Sequence, residues 1–435
     1  MTADLARHCE QLNPDTPHHL ITPCLIGISR GPTVRRSYPD TFPIRLLKFM
    51  QITSGRKRRD ALSIAMAAYI TTTAVNLQVP LYAKYAEVAD HGIGTLTLVF
   101  ACYVGGLLPI LIFLGGISDR VGRKYPILAG LGLAFTATIL VLVHPTLATL
   151  AVARVLQGIG VGLGVAAGTA FLAELLTGLA TAQRAAAYIT AATSLGFGSG
   201  ALFTSISLAF RPDATPVSYW LFPPVAVVAM FAVARIPEHH EARAVVWLRL
   251  PHFQRETLPQ CFAVFLGWAI TGMVIAVVPS QLAKHNLVAW TGVALFLVNG
   301  VGVLFQPVAR RMVPDRALRL GLLLAPAGYV LLALGAWLGL IWLLLTGAAI
   351  AGAACYGFTY LGGLASVSAS APFDRARATS GYFLFAYLGF SLPVILSGFL
   401  SDRLGILATL ALFGALAIVW NGGIAFAMKQ RNAAA

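Results

Sequence analysis

The clearest candidate for chemistry within an apolar part of this chain is Arg154, which stands in a long hydrophobic segment. Gln157 follows three residues later, so the two side chains share one face of a helix. A buried cation is costly in a membrane and needs a partner, water or an anionic ligand. Aspartate, glutamate and histidine are absent from comparable depth in the predicted segments. This absence leaves no obvious titrating group inside the membrane for proton coupling, and Arg154 itself could bind an anionic substrate.

The elements that must position these residues are hydrophobic helices. The chain of 435 residues is 58% hydrophobic and 11% charged, with a mean hydropathy of +0.78, whereas a soluble domain usually carries about 25% charged residues. Backbone groups in lipid need internal partners, so we predict an all-α polytopic membrane protein. Twelve segments are long enough to cross about 30 Å of hydrocarbon. They are Leu62–Ala83, Leu96–Leu114, Tyr125–Val143, Leu147–Ala173, Ala185–Phe210, Tyr219–Ala234, Leu258–Pro279, Trp290–Val308, Leu320–Leu338, Trp342–Leu364, Thr379–Leu400 and Ile406–Met428.

The order of these segments predicts two pseudo-symmetric bundles of six helices, at residues 61–235 and 258–428. A cytoplasmic linker at 236–257 separates them, and a short tail at 429–435 ends the chain. Residues 1–60 contain several prolines and scattered charges, so we expect a disordered, basic N-terminal tail. One hypothesis is that translation begins at Met50.

The positively charged residues are distributed unevenly between the two sides of the membrane. Its net charge is +15, and if both termini are cytoplasmic, all but five of the 31 Lys and Arg lie on the cytoplasmic side. That asymmetry is typical of multi-pass proteins of a bacterial inner membrane and gives no reason to expect nucleic acid as a partner. The five cysteines show neither metal-ligand spacing nor a place in an external loop, so we expect no disulfide, metal or cofactor.

A short loop between the second and third segments contains the most distinctive motif of the chain outside the hydrophobic segments. It reads Gly115-Gly-Ile-Ser-Asp119-Arg120-Val-Gly122-Arg123-Lys124. Its glycines permit a tight turn, and its cations favour the cytoplasmic side. Asp119 is the one carboxylate of the loop, and it could pair locally or cap a neighbouring helix.

These residues resemble the major facilitator superfamily of secondary transporters over roughly residues 60–430. The loop follows the family's signature nearly residue for residue. Arg154-Val-Leu-Gln157-Gly158 is similar to the Arg-x-x-Gln-Gly signature of the family's proton-coupled exporters. The run at 196–201 departs from the exporter pattern, since Ala201 stands where many exporters carry proline.

The resemblance implies a central cavity lined by helices one, four, seven and ten. The candidate substrate-binding or coupling residues are Tyr69, Thr73, Asn76, Arg154, Gln157, Tyr356 and Tyr360. The alternative is that their polar groups only hold helices together.

The resemblance also implies a cytoplasmic gate, in which Asp119 faces the N-terminus of helix eleven near Thr379. The gate candidates are Gly115, Asp119, Arg120, Gly122, Arg123, Lys124, Glu174 and Arg184, and the alternative is a set of solvated loop charges. Glu87 and Asp90 are candidates for proton coupling, unless they belong to an ordinary external loop.

We therefore expect a monomeric secondary active transporter that works by alternating access. The favoured activity is proton-coupled efflux of drugs or metabolites, with a small-molecule substrate, protons and the lipid bilayer as partners. The alternative is metabolite uptake or facilitated diffusion, with Arg154 binding an anionic substrate. An enzyme is not expected, because the sequence has no metal-spaced His/Glu cluster, serine elbow or phosphate-binding glycine loop.

Overall fold

A computed structural model describes residues 55–82, 84–85, 92–114, 116–176, 181–211, 215–238, 251–371 and 374–434. Every described residue belongs to one compact unit, Ile52–Ala435. Met50, most of the predicted tail and the linker residues 239–250 lie outside the described residues.

Twelve helices in the described part of the chain are long and apolar enough to cross a membrane, which confirms the predicted fold class. In chain order they are α1 (Gly55–Asn76), α2 (Ile93–Phe113), α3 (Lys124–Val143), α4 (Leu147–Leu175), α5 (Thr181–Phe210), α6 (Val217–Ala234), α7 (Leu258–Ala276), α8 (Thr291–Ala309), α9 (Pro314–Leu338), α10 (Ile341–Ser370), α11 (Arg375–Leu404) and α12 (Ile406–Ala434).

Several helix ends differ from the hydropathy-based bounds. Helix α1 stops at Asn76, and a tight helical turn, Val79–Leu81, follows with Pro80 inside it. Helix α11 continues past the predicted end to Leu404. Helix α10 contains a π-helical stretch, Ala353–Thr359. Apolar length cannot reveal these features, because backbone hydrogen bonds set them.

The two halves of the chain repeat one packing pattern. Helix α1 packs on α4 and α5, and α7 packs on α10 and α11 in the same way. Helix α3 packs on α4 and α6, as α9 does on α10 and α12. Each half is therefore a six-helix bundle, and the two bundles are related by pseudo-symmetry.

The bundles meet through two helix pairs, α2 with α11 and α5 with α8. We call the membrane face that carries residues 116–123 the loop face, and the other side the opposite face. Because successive spanning helices alternate in direction, α2 and α8 begin at the opposite face, whereas α5 and α11 end there. Each pair is thus antiparallel.

Candidate functional site

Arg154 is fully buried in α4, with 0% of its surface exposed. Its Nη1 donates a hydrogen bond of 2.6 Å to the carbonyl oxygen of Val75, and Nη2 donates to the hydroxyl of Tyr82. The guanidinium carbon lies 5.1 Å from the ring centre of Phe100 and 5.5 Å from that of Tyr82. Cation–π contacts of this kind stabilise a charge that water does not reach.

Gln157 binds the same end of α1. Its Nε2 donates to the carbonyl oxygen of Ala74 at 3.0 Å, and its Oε1 accepts from Gln78 Nε2 at 3.0 Å. Gln78 Nε2 also donates to Val75 O at 2.8 Å. The last four carbonyl groups of a helix lack intrahelical partners, and they form the negative end of its dipole. Arg154 and Gln157 therefore cap α1 from α4.

Helix α4 approaches its neighbours closely at this level. A Cβ atom added at Gly158 would overlap the backbone carbonyl of Tyr103 on α2. Only glycine permits such contact between helix backbones. The Arg154–Gln157–Gly158 signature thus joins α4 to both α1 and α2.

Two buried polar atoms beside this cap have no hydrogen-bond partner among the described residues. They are Arg154 Nε and the hydroxyl oxygen of Tyr219 on α6. Tyr85, which follows the turn after α1, lies near Tyr219. Burial raises the pKa of Tyr85 to about 12, so this phenol stays protonated at neutral pH.

The helix-one candidates make local and interhelical hydrogen bonds. Thr73 Oγ1 donates to the carbonyl oxygen of Tyr69 at 2.8 Å within α1. Asn76 Nδ2 donates to the carbonyl oxygen of Phe197 on α5 at 2.8 Å. The bond made by Asn76 matches the alternative reading, in which polar side chains hold helices together.

Tyr356 belongs to a larger set of aromatic side chains between the bundles. Its ring centre lies 5.9 Å from that of Trp268, which in turn lies 4.9 Å from Tyr387 and 5.9 Å from Phe390. Tyr103 joins the set from the first bundle, since its ring centre is 6.4 Å from Phe390. We call this set the aromatic cluster; its members are Tyr103, Phe197, Trp268, Tyr356, Tyr387 and Phe390.

The aromatic cluster contains hydrogen-bond donors that no described group satisfies. The Tyr103 hydroxyl and Trp268 Nε1 are buried without a partner in the described part of the chain. Tyr360, the other candidate on α10, interacts with Thr190 of α5 across the bundle interface. The sequence analysis did not identify Trp268, Tyr387 or Phe390. The sequence could have indicated two of them, because Tyr387 and Phe390 are three residues apart and therefore share one face of α11.

In the loop, Asp119 pairs with Arg123 of the same loop. Arg123 also donates from Nε to Glu174 Oε1 at 3.0 Å and from Nη1 to Ser118 Oγ at 2.8 Å. Burial alone would lower the pKa of Arg123, but its hydrogen bonds to Glu174 and Asp119 outweigh that effect and raise it. The structure thus brings together three of the predicted gate residues.

Glu238 is a further carboxylate of this region that sequence reasoning missed. It accepts hydrogen bonds from the backbone N–H of Arg123 and, at 3.2 Å through Oε2, from that of Lys124. The first N–H groups of a helix attract an anion, so Glu238 caps α3. Gly122 has φ +93°, and a Cβ there would lie 3.0 Å from the Glu238 carboxylate.

The remaining candidates are placed as follows. Arg120 and Arg184 are half-buried at the loop face, and Lys124 Nζ donates to the carbonyl oxygen of Ile236 at 3.2 Å. Gly115, Glu87 and Asp90 lie outside the described residues.

Comparison with curated proteins gives two partial relatives. The chain is 32% identical over 112 residues to the chromaffin granule amine transporter of Rattus norvegicus, covering 25% of this chain and 22% of that protein. It is 30% identical over 131 residues to the methylenomycin A resistance protein of Streptomyces coelicolor, covering 30% of this chain and 27% of that protein. The chain thus matches about a quarter of the length of each.

Two solved structures share the fold. A crystal structure of a variant of the nucleoside transporter NupG superposes with a TM-score of 0.69 at 12% identity, covering 84% of this chain and 98% of that one. The human organic anion transporter MFSD10 gives 0.59 at 17% identity, covering 85% and 100%.

A family model described as Major Facilitator Superfamily matches residues 61–360, which is more than half of the chain. The twelve helices, their pseudo-symmetric bundles and the two signatures agree with that match. The chain therefore belongs to the Major Facilitator Superfamily.

Proposed function

We propose that this transporter exports small organic molecules across the inner membrane of a bacterium by proton-coupled alternating access. The observation that carries the proposal is the aromatic cluster, because its rings come from both bundles. Rocking of the bundles changes the distance between those rings, so such a site binds differently in the two states. The names of the two curated relatives, for amine transport and for methylenomycin A resistance, also favour small organic cargo.

The cluster also suggests a class of substrate. Aromatic side chains pack well on flat rings, and Tyr103 and Trp268 offer a hydroxyl and an indole N–H. A buried donor gains most from an acceptor on the ligand. We therefore propose cyclic compounds that carry a carbonyl or ether oxygen.

Charge in the membrane interior argues against simple cations as the preferred substrate. The described aspartates and glutamates all lie within two turns of a helix end or in connections. Arg154, by contrast, is fully buried in α4. Its positive potential in a medium of low dielectric disfavours a second cation.

Proton coupling is assigned to Glu87 and Asp90, the original candidates. Residues 86–91 directly follow Tyr85 in the sequence, and Tyr85 lies near Tyr219 beside Arg154. In this proposal a carboxylate of residues 86–91 exchanges protons while Arg154 holds the end of α1. The alternative, an anionic substrate on Arg154 during uptake, is less favoured because both Nη atoms already bind Val75 and Tyr82.

The test begins with a thermal-shift screen of the purified protein against metabolites and antibiotics. A stabilising compound is then added to proteoliposomes that contain a pH-sensitive dye and carry an imposed proton gradient. We expect transport of the compound to dissipate the gradient. Transport that is unchanged when the gradient is removed would support facilitated diffusion instead.

Trp268→Ala tests the binding site in the same assay. Because the indole contacts three other rings, we expect at least a tenfold loss of affinity. Trp342→Ala is the matched control, since Trp342 is 85% exposed on the lipid-facing surface. Equal affinity in both variants would place the substrate elsewhere.

A further inference from the structure

The loop signature has a second copy at the other side of the membrane. Ser401-Asp402-Arg403-Leu404-Gly405 ends α11, and it matches Ser118-Asp119-Arg120-Val121-Gly122 in the loop after α2. Both copies finish with a glycine of positive φ, at 93° for Gly122 and 84° for Gly405, with ψ of 166° and 155°. The same five-residue pattern thus builds the same helix ending on both faces.

Asp402 in the second copy contacts the other bundle directly. Its Oδ1 accepts a hydrogen bond of 2.7 Å from the backbone N–H of Ile93, and its Oδ2 accepts one of 2.9 Å from that of Gly94. These are the first two residues of α2, whose N–H groups lack intrahelical partners. A carboxylate at this position gains from charge-assisted hydrogen bonds and from the helix dipole.

The contact depends on a close approach of α2 and α11. A Cβ atom added at Gly92 would lie 2.5 Å from Asp402, and one at Gly94 would lie 2.6 Å from Phe399. A Cβ at Gly398 would overlap Thr97. The glycines therefore allow α2 and α11 to approach closely enough for the Asp402 carboxylate to reach the backbone N–H groups of Ile93 and Gly94.

The pseudo-symmetric pair of helices makes a neutral version of the same contact. Ser205 Oγ of α5 accepts a hydrogen bond of 2.9 Å from the N–H of Gly292, near the start of α8. The opposite face is thus closed at both contacts between the bundles, α2 with α11 and α5 with α8. Only the contact made by Asp402 involves a charged side chain.

We propose that Asp402 is a latch that holds the opposite face closed by capping α2, and that the latch must release before that face can open. Helices α2 and α11 are antiparallel, so the two Ser-Asp-Arg-x-Gly copies lie at opposite ends of one helix pair. Asp402 acts when the opposite face is closed, and the copy with Asp119 is placed to act when the loop face is closed. The inference rests on alternating access, but neither on the substrate nor on proton coupling.

The experiment measures the two faces by spin-label distances in lipid nanodiscs, in a variant without native cysteines. Labels at His144 and Lys284 report the opposite face, because both residues are exposed there and belong to different bundles. Labels at Tyr125 and Arg316 report the loop face in the same way. Neither readout requires a known substrate.

We expect Asp402→Ala to raise the ratio of open to closed opposite face about tenfold, with a matching closure of the loop face. Asp402→Asn should give a smaller shift, because the amide oxygen still accepts a hydrogen bond without the charge. Arg403→Gln is the matched control: it changes the charge by one unit at the adjacent exposed residue and should leave both distances unchanged.

Unchanged distances in both folded Asp402 variants would overturn the latch. If Asp402→Ala does not fold, Asp402→Asn alone decides, since it keeps the size of the side chain. If a stabilising compound shifts the distances while the Asp402 variants do not, the latch fails and alternating access stands. If nothing shifts them under any condition, alternating access itself fails.

Discussion

Arg154 Nη1 and the carbonyl oxygen of Val75 are joined by a hydrogen bond of 2.6 Å, so a cation on α4 closes the C-terminal end of α1. This contact gives the arginine of the exporter signature a role that is independent of any substrate. It also shows how a fully buried charge is tolerated without a carboxylate among the described residues of its surroundings.

We expect Arg154→Ala to abolish transport and to destabilise the protein. The substitution removes the cation from the end of α1, takes one of two donors from the carbonyl oxygen of Val75, and takes the guanidinium donor from the buried hydroxyl of Tyr82. Losing such a buried hydrogen bond costs about 1–3 kcal/mol. Arg154→Lys should rescue only in part, because an ammonium cannot reproduce the planar donor fork. Arg211→Ala, at an exposed arginine after α5, serves as the control. Transport rate and thermal unfolding are measured together, and normal transport by Arg154→Ala at normal abundance would refute the assignment.

Asp119→Asn should slow transport several-fold and change the accessibility of cysteine probes at the loop face. The variant loses the ion pair with Arg123, while Arg123 keeps Glu174 and Ser118 as partners. It also loses the charge that would cap α11 when this face closes, worth about 0.3–2 kcal/mol. Unchanged transport together with unchanged probe accessibility would exclude the gate and leave a local ion pair.

Tyr103→Phe separates a binding role from a structural one. The hydroxyl is buried without a partner among the described groups, so its removal should leave the unfolding temperature unchanged or slightly higher. If a ligand accepts a hydrogen bond from it, affinity should fall about five- to tenfold. Tyr329→Phe is the contrast, because its hydroxyl donates to Leu410 O at 2.9 Å and its loss should lower stability instead. Identical effects of the two variants would contradict this interpretation.

The helices could be predicted from the sequence because hydrocarbon thickness imposes a length that composition reveals. The partners of Arg154 could not, because the end of α1 at Asn76 depends on backbone bonds inside an apolar run. Asp402 was missed because the apolar window of helix eleven stops at Leu400. Glu238 was missed because it lies in a segment that reads as a polar linker. The aromatic cluster joins residues far apart in the chain, which no local pattern can bring together.

The cap on α1 has a mechanical consequence. Two side chains of α4 bind the backbone of α1, and Asn76 binds the backbone of α5 beside them. Three helices of the first bundle are therefore tied at one level by bonds to main-chain oxygens, which substitution at the acceptor residues cannot remove. We expect a displacement of α4 to be passed to α1 and α5 through these bonds, so that the bundle moves as one body and the sliding is left to the α2–α11 and α5–α8 contacts.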